Sequence, residues 1–152
     1  MQIPPPSDLT SHLGYWLRYV SNHVSHAFAL KMESKDVTVA EWVVLRELYD
    51  ADALAPSRLA EKLGMTRGAI TKLADRLIAK SLLTREADAD DGRAQTLALT
   101  PEGRRLVPEL AALADDNDAD FFGRLTPGDR AVVERVLKDI VERRGFSSVP
   151  VS

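Results

Sequence analysis

The side chains best equipped for chemistry lie between Arg58 and Lys80, where six basic residues (Arg58, Lys62, Arg67, Lys72, Arg76 and Lys80) stand against two acids, Glu61 and Asp75. The chain of 152 residues has a formal net charge of -3, so the remainder is acidic. A basic segment in an acidic body is the electrostatic footprint of an element that meets a polyanion, although a solvated helix face gives a similar count. The spacing of neighbouring residues separates the two. Counting from Pro56, Ala60 is fifth, Gly64 ninth and Ile70 fifteenth. A helix-turn-helix needs a small residue where its helices cross, a glycine free to take positive φ in the turn, and an aliphatic anchor for the second helix at those places. With Ile70 turned inward, Arg67, Gly68, Thr71, Lys72, Asp75 and Arg76 form a free polar face. The second helix of such a motif enters the major groove of double-stranded DNA by its N-terminal half. Arg67, Thr71 and Lys72 are therefore the candidate base readers, Gly68 lets the helix backbone come close, and Thr66 stands at the tip as its cap. Arg58 and Arg76 lie farther from the tip, where phosphates are the expected contacts.

Other chemistries are poorly provided for. Cysteine is absent, which removes disulfides, thiolate catalysis and thiol-based redox sensing. His23 and His26 stand three apart and could share a metal ion, yet the remaining histidine, His12, lies in the same helical stretch and supplies no distant ligand. A metal-responsive regulator is kept as an alternative on that pair alone. Asp116, Asp118 and Asp120 echo a calcium loop, but Phe121 occupies the place of the required Gly and Pro127 that of the bidentate Glu. No Gly-rich phosphate loop or nucleophile elbow occurs, so neither catalysis nor a cofactor is expected.

The elements that must position the basic face can be read from caps and periodicity. Leu9, Leu13, Trp16, Leu17, Val20, Val24, Ala27 and Phe28 recur at helical spacing and predict one long amphipathic helix. Thr38 and Glu41 form a capping box ahead of a second helix. Pro56 opens a third, which Gly64 ends, and Thr66 caps a fourth reaching about Lys80. From Leu82 to Leu99 the period changes to alternation, with Leu97 and Leu99 on one side, Thr96 and Ala98 on the other, and turn-forming residues from Asp88 to Gly92. A β-hairpin is the expectation there. Thr100-Pro101 and Thr126-Pro127 repeat one signature, a capping hydroxyl followed by Pro at the first helical position, and open a fifth and a sixth helix. The fold class is thus mainly α with a small hairpin wing. No apolar run approaches the roughly 20 residues that span a bilayer, and residues 1–6 lack the basic and apolar regions of a secretory signal, so a cytoplasmic protein is expected.

A hairpin directly after the helix-turn-helix makes it a winged one, and here the chain resembles the multiple-antibiotic-resistance regulator (MarR) family. The residues that carry the resemblance are Leu59-Ala60-Glu61-Lys62-Leu63-Gly64, Thr71-Lys72-Leu73-Ala74-Asp75-Arg76-Leu77, Leu82, Asp91-Gly92-Arg93, and Leu97-Ala98-Leu99-Thr100-Pro101-Glu102-Gly103. The resemblance implies a DNA-binding transcription regulator, with Arg93 as the wing arginine aimed at the minor groove and Asp91 as the acid that orients it. A narrow minor groove has enhanced negative potential, and a guanidinium steadied by an acid loses less freedom on entering it. Gly92 departs from the basic residue often found between them, and Asp88 and Asp90 add negative charge to the tip.

A single reading head makes few contacts, and dimers of this kind read two half-sites about one helical turn apart. Leu106, Leu110, Leu113, Phe121, Phe122, Leu125, Val132, Val133, Val136, Leu137, Ile140 and Val141 offer more apolar surface than one winged helix covers, which predicts a homodimer. The expected organisation is residues 1–36 for a dimerising helix, 37–100 for the winged helix-turn-helix and 101–152 for further dimerising helices. The resemblance also implies a repressor that binds a pseudo-palindromic operator and responds to a small aromatic effector. His12, Tyr15, Trp16, Tyr19, His23 and Trp42 could line a crevice for one, but aromatics at this spacing are more often core or interface. A winged helix serving protein contacts remains the alternative from another class, since fold does not dictate partner. The basic face weighs against it, because a protein-docking face carries apolar anchors.

Overall fold

Local signals decide where each helix begins. The computed structural model describes residues 2–87 and 94–146. Helix α1 (Leu13–Glu33) is followed by α2 (Val39–Tyr49), α3 (Pro56–Leu63) and α4 (Arg67–Ala79), then by strands β1 (Leu83–Ala87) and β2 (Gln95–Leu99), and finally by α5 (Pro101–Phe122) and α6 (Pro127–Arg144). The Thr38 hydroxyl accepts from the Glu41 N–H at 3.0 Å while the Glu41 carboxylate accepts from the Thr38 N–H at 2.8 Å, so the capping box is complete. Thr100 and Thr126 cap α5 and α6 in the expected way, each accepting from the N–H three residues on. The start of the first helix differs from expectation. Leu9–Ser11 form a separate 3-10 turn, held by the Ser11 hydroxyl on the Asp8 carbonyl and by the Trp16 indole N–H on the Thr10 carbonyl, and extended backbone at His12 separates it from α1.

The two strands pair antiparallel, Leu83 opposite Leu99 and Arg85 opposite Leu97. Leu54 adds a single bridge to the outer side of Leu97, exchanging hydrogen bonds of 2.9 and 2.8 Å. The simple alternation expected of β2 fails at its end. Leu97, Ala98 and Leu99 are all buried, because α2, α3 and α5 pack around this strand. One core joins Leu45 and Leu48 of α2, Leu59 of α3, Ile70, Leu73 and Leu77 of α4, and Val107 and Leu110 of α5. Gly103 brings the start of α5 against the hairpin: a Cβ there would lie 2.2 Å from the Leu82 carbonyl oxygen, which already accepts from the Thr100 N–H at 3.0 Å.

Helices α1 and α5 are joined by a polar contact as well as apolar packing. The buried Asn117 amide donates to the Val24 carbonyl at 3.2 Å and accepts from the Lys31 ammonium at 3.0 Å. No residue of α6 is buried. An ion pair, Arg130 with Asp118 at 2.9 Å, ties it to α5, and the carboxylate's hydrogen bond and charge hold the guanidinium pKa above its ordinary value.

Candidate nucleic-acid interface

The site begins with the turn between α3 and α4. Gly64 has φ 64°, the left-handed conformation that glycine takes without strain, and the Met65 N–H closes the end of α3 on the Ala60 carbonyl at 3.0 Å. Ala60 is buried where the two helices meet, and Ile70 is fully buried. Thr66 then starts α4 by accepting from the Ala69 N–H at 3.1 Å. Ile70, Leu73, Ala74 and Leu77 face the core. The opposite side of α4 stays open, with Arg67, Gly68, Thr71, Lys72, Asp75 and Arg76 all exposed.

These exposed groups are not equivalent. Among the described residues Arg67, Lys72 and Arg76 form no ion pair, whereas Arg58 pairs with Glu61 at 3.6 Å and Lys62 with Glu47 at 3.7 Å. The Thr71 hydroxyl donates to the Arg67 carbonyl at 2.9 Å, so toward a ligand it offers acceptor lone pairs and a methyl group. Around Gly68 a Cβ would meet nothing closer than 4.0 Å. Its missing side chain therefore answers no packing need within the chain. Arg76 sits at the edge of the face and lines a hollow with Glu33, Asp36 and Lys80.

Two ties escaped the sequence reading because each joins residues far apart. Asp75, expected on the free face, is held by the Arg85 guanidinium of β1. Lys80, counted with the basic segment, turns away from that face and donates to Glu41 at 3.0 Å and to the Asp36 carbonyl at 2.6 Å. The wing residues Asp91 and Arg93 lie outside the described residues, as do Asp88, Asp90 and Gly92. The aromatic candidates gather on α1, where Tyr15 meets Trp16 edge to face at 5.2 Å and Tyr19 stacks on His23 at 5.2 Å; Trp42 is half-buried against the core instead.

A family model described as MarR family matches residues 35–94, a segment that contains α2, α3, α4 and β1 and ends just before β2. The transcriptional repressor MdtR of Bacillus subtilis is 39% identical over 121 residues, covering 80% of this chain and 68% of that protein. The chain belongs to the MarR family. A mutant MarR from Escherichia coli, solved in complex with operator DNA, superposes with a TM-score of 0.76 at 26% identity, covering 89% of this chain and 99% of the other. Bordetella bronchiseptica BpsR, whose DNA binding is regulated by 6-hydroxynicotinic acid, superposes with a TM-score of 0.76 at 26% identity over 90% of this chain and 97% of that one. The MarR-family likeness thus extends past the matched segment into α1 and the C-terminal helices. Among the described residues no helix is long and apolar enough to cross a membrane.

Proposed function

We propose that this chain is a transcriptional repressor that binds a pseudo-palindromic operator in duplex DNA as a homodimer and releases it when a small aromatic molecule binds. The observation that carries the reading is the open face of α4, on which Arg67 and Lys72 are exposed and unpaired among the described residues, around a glycine whose Cβ position is empty. Arginine and lysine donors on a helix of groove-compatible width suit guanine edges, and Thr71 suits either base type. Arg58, Thr66 and Arg76 flank them toward phosphates, and Asp91 with Arg93 reaches the minor groove from the wing.

The dimer is supported by what one copy leaves uncovered. Leu13, Trp16, Leu17 and Val20 of α1 and Val132, Val133, Val136, Leu137, Ile140 and Val141 of α6 are exposed large hydrophobic residues. Stripes of this length on two helices exceed scattered surface leucines, and a second copy covers them while setting two reading heads side by side. Residues 1–36 and 101–152 then form the dimer base and 37–100 the reading head. The aromatic cluster of α1 at the edge of that base supports an aromatic effector, as does the regulation of BpsR, and MdtR supports the repressor role. A repressor of this kind works in the cytoplasm, where it meets the chromosome.

Footprinting of the purified protein on its own genomic DNA identifies the operator, and gel shifts then test the residues. Lys72→Ala and Arg93→Ala are each expected to weaken operator binding, and wild-type affinity to fall with salt at a log–log slope near -0.9 per phosphate neutralised. Unchanged affinity in both variants would defeat the assignment of the interface.

A further inference from the structure

We propose that Lys80 is a positioning residue for DNA reading, which fixes the angle of α4 against the α1–α2 corner through its ammonium group and does not itself touch DNA. The inference rests on the DNA-reading role proposed above. Lys80 caps the C-terminal end of α4, and its Nζ donates to the Asp36 carbonyl oxygen at 2.6 Å and to the Glu41 carboxylate at 3.0 Å. Asp36 has a left-handed backbone, φ 58°, in the turn that ends α1, and Glu41 closes the capping box that starts α2. One ammonium at the end of α4 therefore gathers acceptors from the end of α1 and the beginning of α2.

The apolar contacts of α4 do not fix that angle equally well. Leu73, Ala74 and Leu77 pack into the shared core, but hydrophobic burial is non-directional, whereas a hydrogen bond sets direction as well as distance. A charge-assisted hydrogen bond to a buried carboxylate weakens steeply when it is bent out of line. The Glu41 side chain is 1% exposed and that of Lys80 29%, so the pair lies where solvent screens it poorly. Among the described residues the second carboxylate oxygen of Glu41 has no hydrogen-bond partner although it is buried. A buried carboxylate provided with so few donors depends on Lys80, and stability alone is a weak reason to keep such a pair when apolar residues would serve. Holding the helix that carries Arg67 and Lys72 at one inclination supplies the stronger reason.

Removing the ammonium alone strands the Glu41 charge and can unfold the protein, so the deciding variant removes both charges. Glu41→Gln keeps the capping box, because glutamine serves at that position, and Lys80→Met keeps the stem volume. This double variant is checked for folding by circular dichroism and urea titration and for assembly by sedimentation. Its affinity is then measured for the operator and for a scrambled duplex over a range of salt. We expect a folded protein of wild-type assembly state whose operator affinity falls about tenfold or more, the worth of one misaligned base contact, with scrambled-duplex affinity and salt slope unchanged. Lys80→Arg, which can still bridge Asp36 and Glu41, should restore operator affinity. A folded double variant that keeps its preference for the operator overturns the proposal. A salt slope flatter by about 0.9 overturns it too, because Lys80 would then be a phosphate contact. If Lys72→Ala loses binding while the double variant keeps it, the Lys80 inference fails and the DNA-reading assignment stands; a wild-type protein without affinity for duplex DNA ends both.

Discussion

An alanine at position 103 would place its Cβ 2.2 Å from the Leu82 carbonyl oxygen, a backbone atom held in place by the Thr100 N–H and by the Thr100 hydroxyl's bond to the neighbouring Ser81 carbonyl. Neither partner can yield without moving α5 off the hairpin. Gly103→Ala should therefore cost about 1–3 kcal/mol, the usual penalty for overpacking, read as a lower urea midpoint at unchanged slope. The same scale separates the cations of α4. Arg67 lies in the first turn, so Arg67→Ala should cost about 1–3 kcal/mol of operator affinity and relax discrimination at one base pair. Arg76 stands nine residues on, at the edge of the face beside Glu33 and Asp36. Arg76→Ala should instead weaken operator and scrambled duplexes alike and flatten the salt slope by about 0.9. A gel-shift series on both duplexes distinguishes the two patterns, and equal loss of discrimination in both variants would contradict the assignment of Arg76 to phosphate.

Between elements, the contact that matters to the wing is the pair Asp75–Arg85, which joins α4 to β1. Its side chains are 58% and 36% exposed, so the attraction is screened and its coupling small. A double-mutant cycle through Asp75→Ala and Arg85→Ala, measured by urea unfolding, should return about 0.2–1 kcal/mol; a coupling well above that range would mean that the pair and not the Leu83–Leu99 ladder holds the strand in place. This pair also marks the boundary of what a sequence discloses. Helix starts at Thr38, Pro56, Thr66, Thr100 and Thr126 were legible because a cap is a property of four adjacent residues, and the turn at Gly64 because positive φ selects its own residue type. The open face of α4 was legible from period alone. The long-range partners of the charges from Arg58 to Lys80 were not: Arg85, Glu47 and Glu41, which hold Asp75, Lys62 and Lys80, lie in other elements, and a count of lysines and arginines treats as free three that are paired, Arg58 among them through Glu61 of its own helix. The bridge from Leu54 to Leu97 was hidden for the same reason, since a lone backbone pair leaves no pattern in side-chain types. The 3-10 turn before α1 kept the helical spacing of Leu9 and Leu13 while breaking the helix at His12.

In the whole molecule, the proposed reading head and the proposed dimer base differ in how much of their structure one chain can hold by itself. The head buries Leu45, Leu59, Ile70 and Leu77 completely, whereas α6 buries nothing and is tied to α5 by an exposed ion pair of low worth. A helix of 18 residues with so little support would not keep its place in a monomer, because helix stability in proteins comes mostly from packing an apolar face. That face is the exposed stripe through Val132, Val133, Val136, Leu137, Ile140 and Val141; in the proposed dimer a partner copy would bury it, ordering α6 and setting the spacing of the two heads. Val136→Glu combined with Ile140→Glu places charge on adjacent turns of the stripe, where a dimer would have to bury it unpaired. The variant should sediment as a monomer, retain the far-ultraviolet signature of a folded head, and lose operator affinity far more than affinity for a single half-site, because only the full operator rewards two linked heads. A variant that stays dimeric with both glutamates in place would show that α6 lies outside the interface, and α1 with α5 would then have to supply it.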